Sequence, residues 1–244
     1  MNLHIVGTGS KGNAYIIQND DEALLIECGV RFNEIKKELN FNISKVAGML
    51  ISHSHLDHCK GVKEVTAAGI DVYCLKETSD TFGIASHRIN NIQPLKTFMV
   101  GNFKVSSFDL KHDVPCLGFM IEHPETGRFC FITDTYYCEY RLPSMNNIIV
   151  EANYCETILQ KRLEAGEEPS FLRDRVLRSH MSLQTCMKFL EANDLKQVYN
   201  IVLIHLSDRN SHAIRFKKEI KDLTAKKVTV AENGIVIPFG KTPF

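Results

Sequence analysis

The sequence predicts an α/β fold of four layers, αββα, with two mixed β-sheets face to face and helices on both outer sides. Three observations carry this. The chain has 244 residues, enough for one large α/β domain with an ample core. Strand-like runs crowd its first half, whereas helix-like and strand-like runs alternate in its second. No internal repeat or low-complexity linker is evident, so residues 1–244 read as a single domain.

The elements follow in order. Strands are expected at 3–7 (LHIVG), 14–18 (AYIIQ) and 23–27 (ALLIE), with Asn19-Asp20-Asp21-Glu22 as the polar turn between the last two. The apolar run 45–53 (KVAGMLISH) ends at a histidine. Further strands are DVYCL (71–75), KVSSFDL (104–110), LGFMIEH (117–123) and RFCFIT (128–133), the last two forming a hairpin about PETG (124–127). NIIVEAN (147–153) and VYNIVLIHLS (198–207) complete the longer strands. Helices are expected where apolar residues recur every three or four positions. Leu183, Cys186, Met187 and Leu190 form one such stripe, and Ala213, Phe216, Ile220 and Leu223 another. Two short strands, KVTVAEN (227–233) and GIVIPF (234–239), close the chain. The stretch 155–180 is the least regular, with Gly166, Pro169 and many charges, and reads as a lid or a substrate-facing excursion.

Composition narrows the function. With 44% hydrophobic and 24% charged residues the chain is globular, not disordered. Lys and Arg balance Asp and Glu, so a nucleic-acid partner would have to be held by a local patch or by a metal. The eight cysteines are scattered singly with no C-x-x-C pair and read as reduced core residues of an intracellular protein. The start MNLHIVGTGS lacks the basic and apolar regions of a signal peptide. No run approaches the roughly 18–20 apolar residues that cross a bilayer. A cytoplasmic location is expected, without membrane association. A homodimer, the commonest soluble assembly, is the default oligomer.

Gly7, Gly9 and Gly12 spell G-x-G-x-x-G, the pattern of a dinucleotide-binding turn. Such a turn must open a helix whose N-terminus faces the pyrophosphate. Here Asn13-Ala14-Tyr15-Ile16-Ile17-Gln18 follows, which is strand-like, so the glycines form a tight turn between strands. The N–H groups of that turn are also placed to border an anion site.

The stretch ISHSHLDHCKG (51–61) is the most informative. His53, His55 and Asp57 fall at alternate positions, which share one side of an extended segment. His58 follows where the chain turns into a helix. Imidazole and carboxylate donors at this density suit a pair of closely spaced divalent ions better than a closed structural zinc, which favours thiolates.

The pattern H-x-H-x-D-H after a buried strand resembles the metallo-β-lactamase superfamily, and the rest of the chain follows in order. DLKHDVP supplies His112, FCFITDT supplies Asp134 and IVLIHLSDRN supplies His205. The resemblance implies one metal on His53, His55 and His112, a second on Asp57, His58 and His205, and Asp134 shared. GTGSKGNAY, EANYCE (151–156), SHMSLQT (179–185) and HLSDRN (205–210) resemble the YycJ/WalJ-type branch and share motifs with tRNase Z enzymes. The interval from Asp134 to His205 is too short for an inserted β-CASP domain. Glu27 stands where the superfamily usually has Asp, in a role that orients a ligand.

What the resemblance implies is a phosphodiester hydrolase with two divalent ions (zinc or manganese, or iron) about 3.5–4 Å apart and a bridging hydroxide. Within it, a nuclease of 5′–3′ exonuclease type acting on DNA or RNA is the leading expectation. Asp57 and His180 are the candidate catalytic residues, His180 as general acid. The plain alternative for His180 is a surface histidine at a helix start, and Ser182 reads as that helix's cap. Ser10, Lys11 and Asn13 are candidate phosphate contacts. Arg173, Arg175 and Arg178 could steer a strand, although Glu164, Glu167, Glu168 and Asp174 dilute that patch. The competing readings are hydrolysis of a small cyclic phosphodiester, a lactone, a lactam or a thioester on the same site, and a non-catalytic binding protein.

Overall fold

Strands β1 (Asn2–Gly7), β2 (Ala14–Gln18) and β3 (Ala23–Ile26) form an antiparallel meander in the computed structural model, which describes residues 1–167 and 170–242. In β1, buried Leu3 and Ile5 alternate with more exposed neighbours, the period-2 pattern of a strand covered on one side. In β2 and β3 every residue is buried, because both faces are covered. Strands β4 (Val46–Leu50), β5 (Val72–Cys74) and β6 (Ile89–Asn91) extend the sheet in parallel, and β14 (Val236–Pro238) closes its other edge against β1.

The second sheet contains β7 (Thr97–Val100), β8 (Phe103–Leu110), β9 (Cys116–His123), β10 (Gly127–Ile132), β11 (Asn147–Glu151), β12 (Asn200–Ile204) and β13 (Lys227–Val230). Among the described residues the orders are β14-β1-β2-β3-β4-β5-β6 and β7-β8-β9-β10-β11-β12-β13. Read in these directions, both sheets have three antiparallel pairings followed by three parallel ones. The halves therefore share a topology, although no repeat is visible in the residues.

Side chains from the two inner faces form the central core. Ile5, Tyr15, Ile17 and Leu24 meet Phe119, Ile121, Phe129 and Phe131 there. The outer face of the first sheet packs on α1 (Phe32–Glu38) and α3 (Val62–Ala67) through Ile35, Val62 and Val65. The outer face of the second packs on α7 (Leu183–Ala192) and α8 (Ala213–Thr224) through Leu183, Cys186, Phe216 and Ile220. The two periodic stripes thus mark the packed helix faces through Leu183, Cys186, Leu190, Phe216 and Ile220, whereas Ala213 is exposed and Met187 and Leu223 are half-buried, and the layers are αββα. Ser182 caps α7 by accepting from the Thr185 N–H. All eight cysteines are buried and unpaired.

Several elements were not legible. The short α2 (Leu56–Cys59) begins before His58, so Asp57 lies in a helical turn, not on the extended segment with His53 and His55. The edge strands β6 and β7, and α4 (Lys76–Asp80), are short and largely solvated, without a clear apolar period. The stretch 155–180 contains α5 (Glu156–Glu164) and α6 (Ser170–Ser179), highly charged helices. Leu159 is the buried residue of α5, too little for an apolar stripe. Glu168 and Pro169 lie outside the described residues. No helix of the described residues is long and apolar enough to cross a membrane.

Candidate metal centre

The polar residues of the site sit at or just beyond the C-terminal ends of strands. Glu27 follows β3, His53 and His55 follow β4, His112 follows β8, Asp134 follows β10, Glu151 ends β11 and His205 follows β12. Strands β10, β11 and β12 are parallel, and β8 runs with β10 because both are antiparallel to β9. Their ends therefore open at one edge of the sheet. Glu27, Asp134 and His205 have φ of 65°, 48° and 55°. This left-handed backbone costs non-glycine residues about 1–3 kcal/mol each and persists where surrounding structure enforces it, most often at functional sites.

The sequence-predicted histidines and aspartates converge. Ligand atoms of His53, His55 and His112 lie within 4.8 Å of one another, as do those of Asp57, His58 and His205. Asp134 joins His53 and His58 in a third such group, between the two triplets. His58 Nε2 is 3.1 Å from Asp134 Oδ2 and 3.6 Å from Asp57 Oδ2, and His205 Nε2 is 3.7 Å from Asp57 Oδ2. His55 Nδ1 and His112 Nε2 face each other at 3.3 Å.

Two features of this cluster call for a cation. His53 Nε2 and His205 Nε2 are buried without a hydrogen-bond partner among the described residues, although buried polar atoms are otherwise almost always paired. Nitrogen and carboxylate donors with open valences, converging at this spacing, match the donor set of divalent transition metals. The charges are also strongly coupled. Burial opposes the charged form of His58, but Asp134 and Glu27 outweigh it and push the group up to about 10. His205 is raised in the same way, its burial overcome by Asp134, Asp57 and Glu151. Burial would raise Asp134, but His205 and His58 hold it well below the usual carboxylate range. A divalent cation would meet the same carboxylates and displace those protons.

A surrounding shell fixes the rings. His112 Nδ1 lies 2.9 Å from the Ser179 carbonyl, a geometry in which Nδ1–H donates and Nε2 is left to the cluster. His53 Nδ1 is 2.9 Å from Ser52 Oγ. Fully buried Glu27 accepts the Ser52 N–H at 3.1 Å and places Oε2 3.6 Å from His58 Nδ1. Its longer side chain thus still reaches the histidine it faces.

Glu151 was missed as a site residue. Its Oε1 lies 2.8 Å from His180 Nδ1 and 3.1 Å from His205 Nδ1, and its Oε2 accepts the N–H groups of Thr135 and Met181. Asn153 donates to the His205 carbonyl at 2.7 Å. The EAN tripeptide was the available signal, but the partners come from distant parts of the chain. Asp113 was also missed, with Oδ1 3.0 Å from His112 Nε2 and 3.4 Å from His55 Nε2.

The opening glycines serve this centre. Gly12 leads into β2, so no helix is available for a dinucleotide. Instead the loop packs against the backbone of the histidine motif. Asn13 N–H donates to the Asp57 carbonyl at 2.7 Å, and Gly12 packs on Gly29, a glycine after β3 on which a Cβ would meet that same carbonyl oxygen at 1.7 Å. Asn13 is fully buried, and its side chain is tied to Gly9, the Asp57 carbonyl and His58 Nε2, which braces the loop against the histidine motif. Ser10 is exposed on the wall of a cavity beside His180 and His205. Lys11 is exposed and sits 3.5 Å from Asp208.

This fold and this cluster define a protein of the metallo-β-lactamase fold. The metallo-β-lactamase fold protein YhfI of Bacillus subtilis superposes with a TM-score of 0.74 at 18% identity, covering 97% of this chain and 99% of that one. Human tRNase Z, short form, superposes at 0.68, also at 18% identity, covering 98% and 99%. In sequence the chain is similar to exodeoxyribonuclease YycJ of Bacillus anthracis, 27% identical over 86% of this chain and 85% of the relative. It is also 24% identical to exodeoxyribonuclease WalJ of Streptococcus pneumoniae, over 96% and 91%. A family model described as anti-Pycsar protein Apyc1 matches residues 1–86.

Proposed function

We propose that this protein is a metal-dependent nuclease that degrades DNA from a strand end, in the 5′–3′ direction. The observation that carries the reading is the pair of converging ligand triplets with Asp134 between them, together with the buried His53 Nε2 and His205 Nε2, which lack hydrogen-bond partners among the described residues. The similarity to two exodeoxyribonucleases over 86% and 96% of the chain supports the substrate class.

His53, His55 and His112 would hold one divalent ion, Asp57, His58 and His205 the other, and Asp134 would serve both. Bound there, zinc, manganese or iron would neutralise phosphate charge and supply a nucleophile at neutral pH by acidifying water. The chain's own residues do the rest. Asp57 is partly exposed, so it meets solvent as well as the cluster. His180 presents Nδ1 to Glu151, which leaves Nε2 to carry a proton to the departing oxygen. Glu151 holds His180 and His205 through one oxygen, which keeps proton donor and ligand in a fixed relation. The buried, unpaired cysteines fit a cytoplasmic protein.

The test uses metal-loaded protein with single- and double-stranded DNA and RNA labelled at either end. Progressive, metal-dependent shortening of DNA from the 5′ end, abolished in Asp57→Ala/His58→Ala, is expected. No cleavage of any polymer, with hydrolysis of bis-p-nitrophenyl phosphate retained, would replace this reading with a small phosphodiester. Inactivity on both would favour a lactone or thioester.

A further inference from the structure

Beside the metal cluster lies a cavity of about 400 Å³ that shares His180 and His205 with it. Its wall brings together Ser10 from the opening loop, Arg175 from α6, and Ser207 and Arg209 from the segment after β12. The sequence pointed to Arg173, Arg175 and Arg178 as a group, and the structure separates them. Arg173 is paired with Asp174 at 2.7 Å, while Arg175 lines the cavity. Arg209, which the sequence did not single out, lines it too.

Neither Arg175 nor Arg209 has an ion-pair partner among the described residues. Asp208, the carboxylate on the same wall, faces Lys11 at 3.5 Å. The cavity thus carries two unpaired guanidiniums and two hydroxyls, from three separate segments, around one concave space. Planar guanidinium forks with hydroxyl groups that can donate fit a phosphate, and Asp208, the one carboxylate on the wall, faces Lys11.

We infer that this cavity is a second phosphate subsite, which takes a phosphate of the DNA strand neighbouring the bond cleaved at the metal cluster. The inference rests on the nuclease reading and adds how the strand is positioned. Its occupant is either the phosphate at a strand terminus or an internal phosphodiester, with the same recognition chemistry. Because the chain has no net charge, such a local pair is the kind of feature by which it would hold a polyanion.

The test compares Arg175→Ala and Arg209→Ala with wild type on 5′-phosphorylated and 5′-hydroxyl oligonucleotides, with Arg173→Ala as the control outside the cavity. The residues are exposed, and unchanged thermal unfolding would verify folding. Each cavity variant is expected to raise the oligonucleotide KM about tenfold with kcat little changed, as for loss of one charged hydrogen bond. With metal chelated so that the strand stays intact, fluorescence anisotropy should show weaker binding and a shallower salt dependence, the slope falling by about 0.7 for each phosphate no longer neutralised. A wild-type preference for the 5′-phosphate that disappears in the variants places a terminal phosphate in the cavity. Equal KM increases on both substrates place an internal phosphate there. KM and salt slope equal to wild type in both variants would overturn the subsite. Failure of wild type to cleave any oligonucleotide would instead overturn the nuclease reading.

Discussion

One carboxylate oxygen of Glu151 lies 2.8 Å from Nδ1 of His180, on the edge of the candidate metal cluster. The same oxygen reaches His205 Nδ1 at 3.1 Å. A single buried carboxylate thereby orients the proposed proton donor and a proposed ligand together.

Glu151→Gln keeps the size and the acceptor for the Thr135 and Met181 N–H groups but removes the charge facing both imidazoles. The expected result is a kcat lower by about 10- to 100-fold, the usual cost of losing such a supporting partner, with KM within about threefold. Steady-state kinetics on a DNA oligonucleotide, whose alkoxide leaving group needs the proton, would show it. A rise in KM at constant kcat would contradict the positioning role.

Glu27 performs the corresponding task for His58. In Glu27→Gln the Ser52 N–H keeps an acceptor, but the charge opposite His58 Nδ1 is gone. Metal affinity at the second triplet should fall about 10- to 100-fold, read by calorimetric titration. Equal affinity for variant and wild type would leave Glu27 without a part in metal binding.

The close approach of Gly29 to the Asp57 carbonyl makes a backbone prediction. Gly29→Ala places a methyl group against peptide atoms that cannot yield, and should cost about 3 kcal/mol or more in urea unfolding. Gly83→Ala, where nothing lies within 4 Å and only the positive φ opposes a side chain, should cost about 1–2 kcal/mol. Equal losses would mean that the close packing on the histidine motif is dispensable.

How much of this was readable follows from chain distance. His53, His55, Asp57 and His58 stand out because they are contiguous. His112, Asp134 and His205 are ordinary strand-end residues one by one, and acquired meaning through their order behind the first motif. Glu151 could not be read in the same way, since its partners Thr135, Met181, His180 and His205 are brought to it by the topology of β10, β11 and β12. The helical stripes at 183–190 and 213–223 were legible because each buries one face. The charged helices α5 and α6 carry no such stripe, and the helical turn at Asp57 is invisible in the sequence because a four-residue helix leaves no periodic signal.

Metal removal should destabilise the fold. An ion present at about a hundred times its dissociation constant stabilises the native state by about 2.7 kcal/mol. For a domain of this size that corresponds to a Tm about 5–10 °C higher than in chelator. Identical melting curves with and without chelator would argue against metal binding.

The most direct measurement is the metal content of the purified protein by elemental mass spectrometry, after loading with zinc or manganese and removal of free ions. Two ions per chain in wild type, falling to one in His112→Ala and in His205→Ala, is the predicted result. One ion or none in wild type would contradict the dinuclear centre on which the nuclease reading depends.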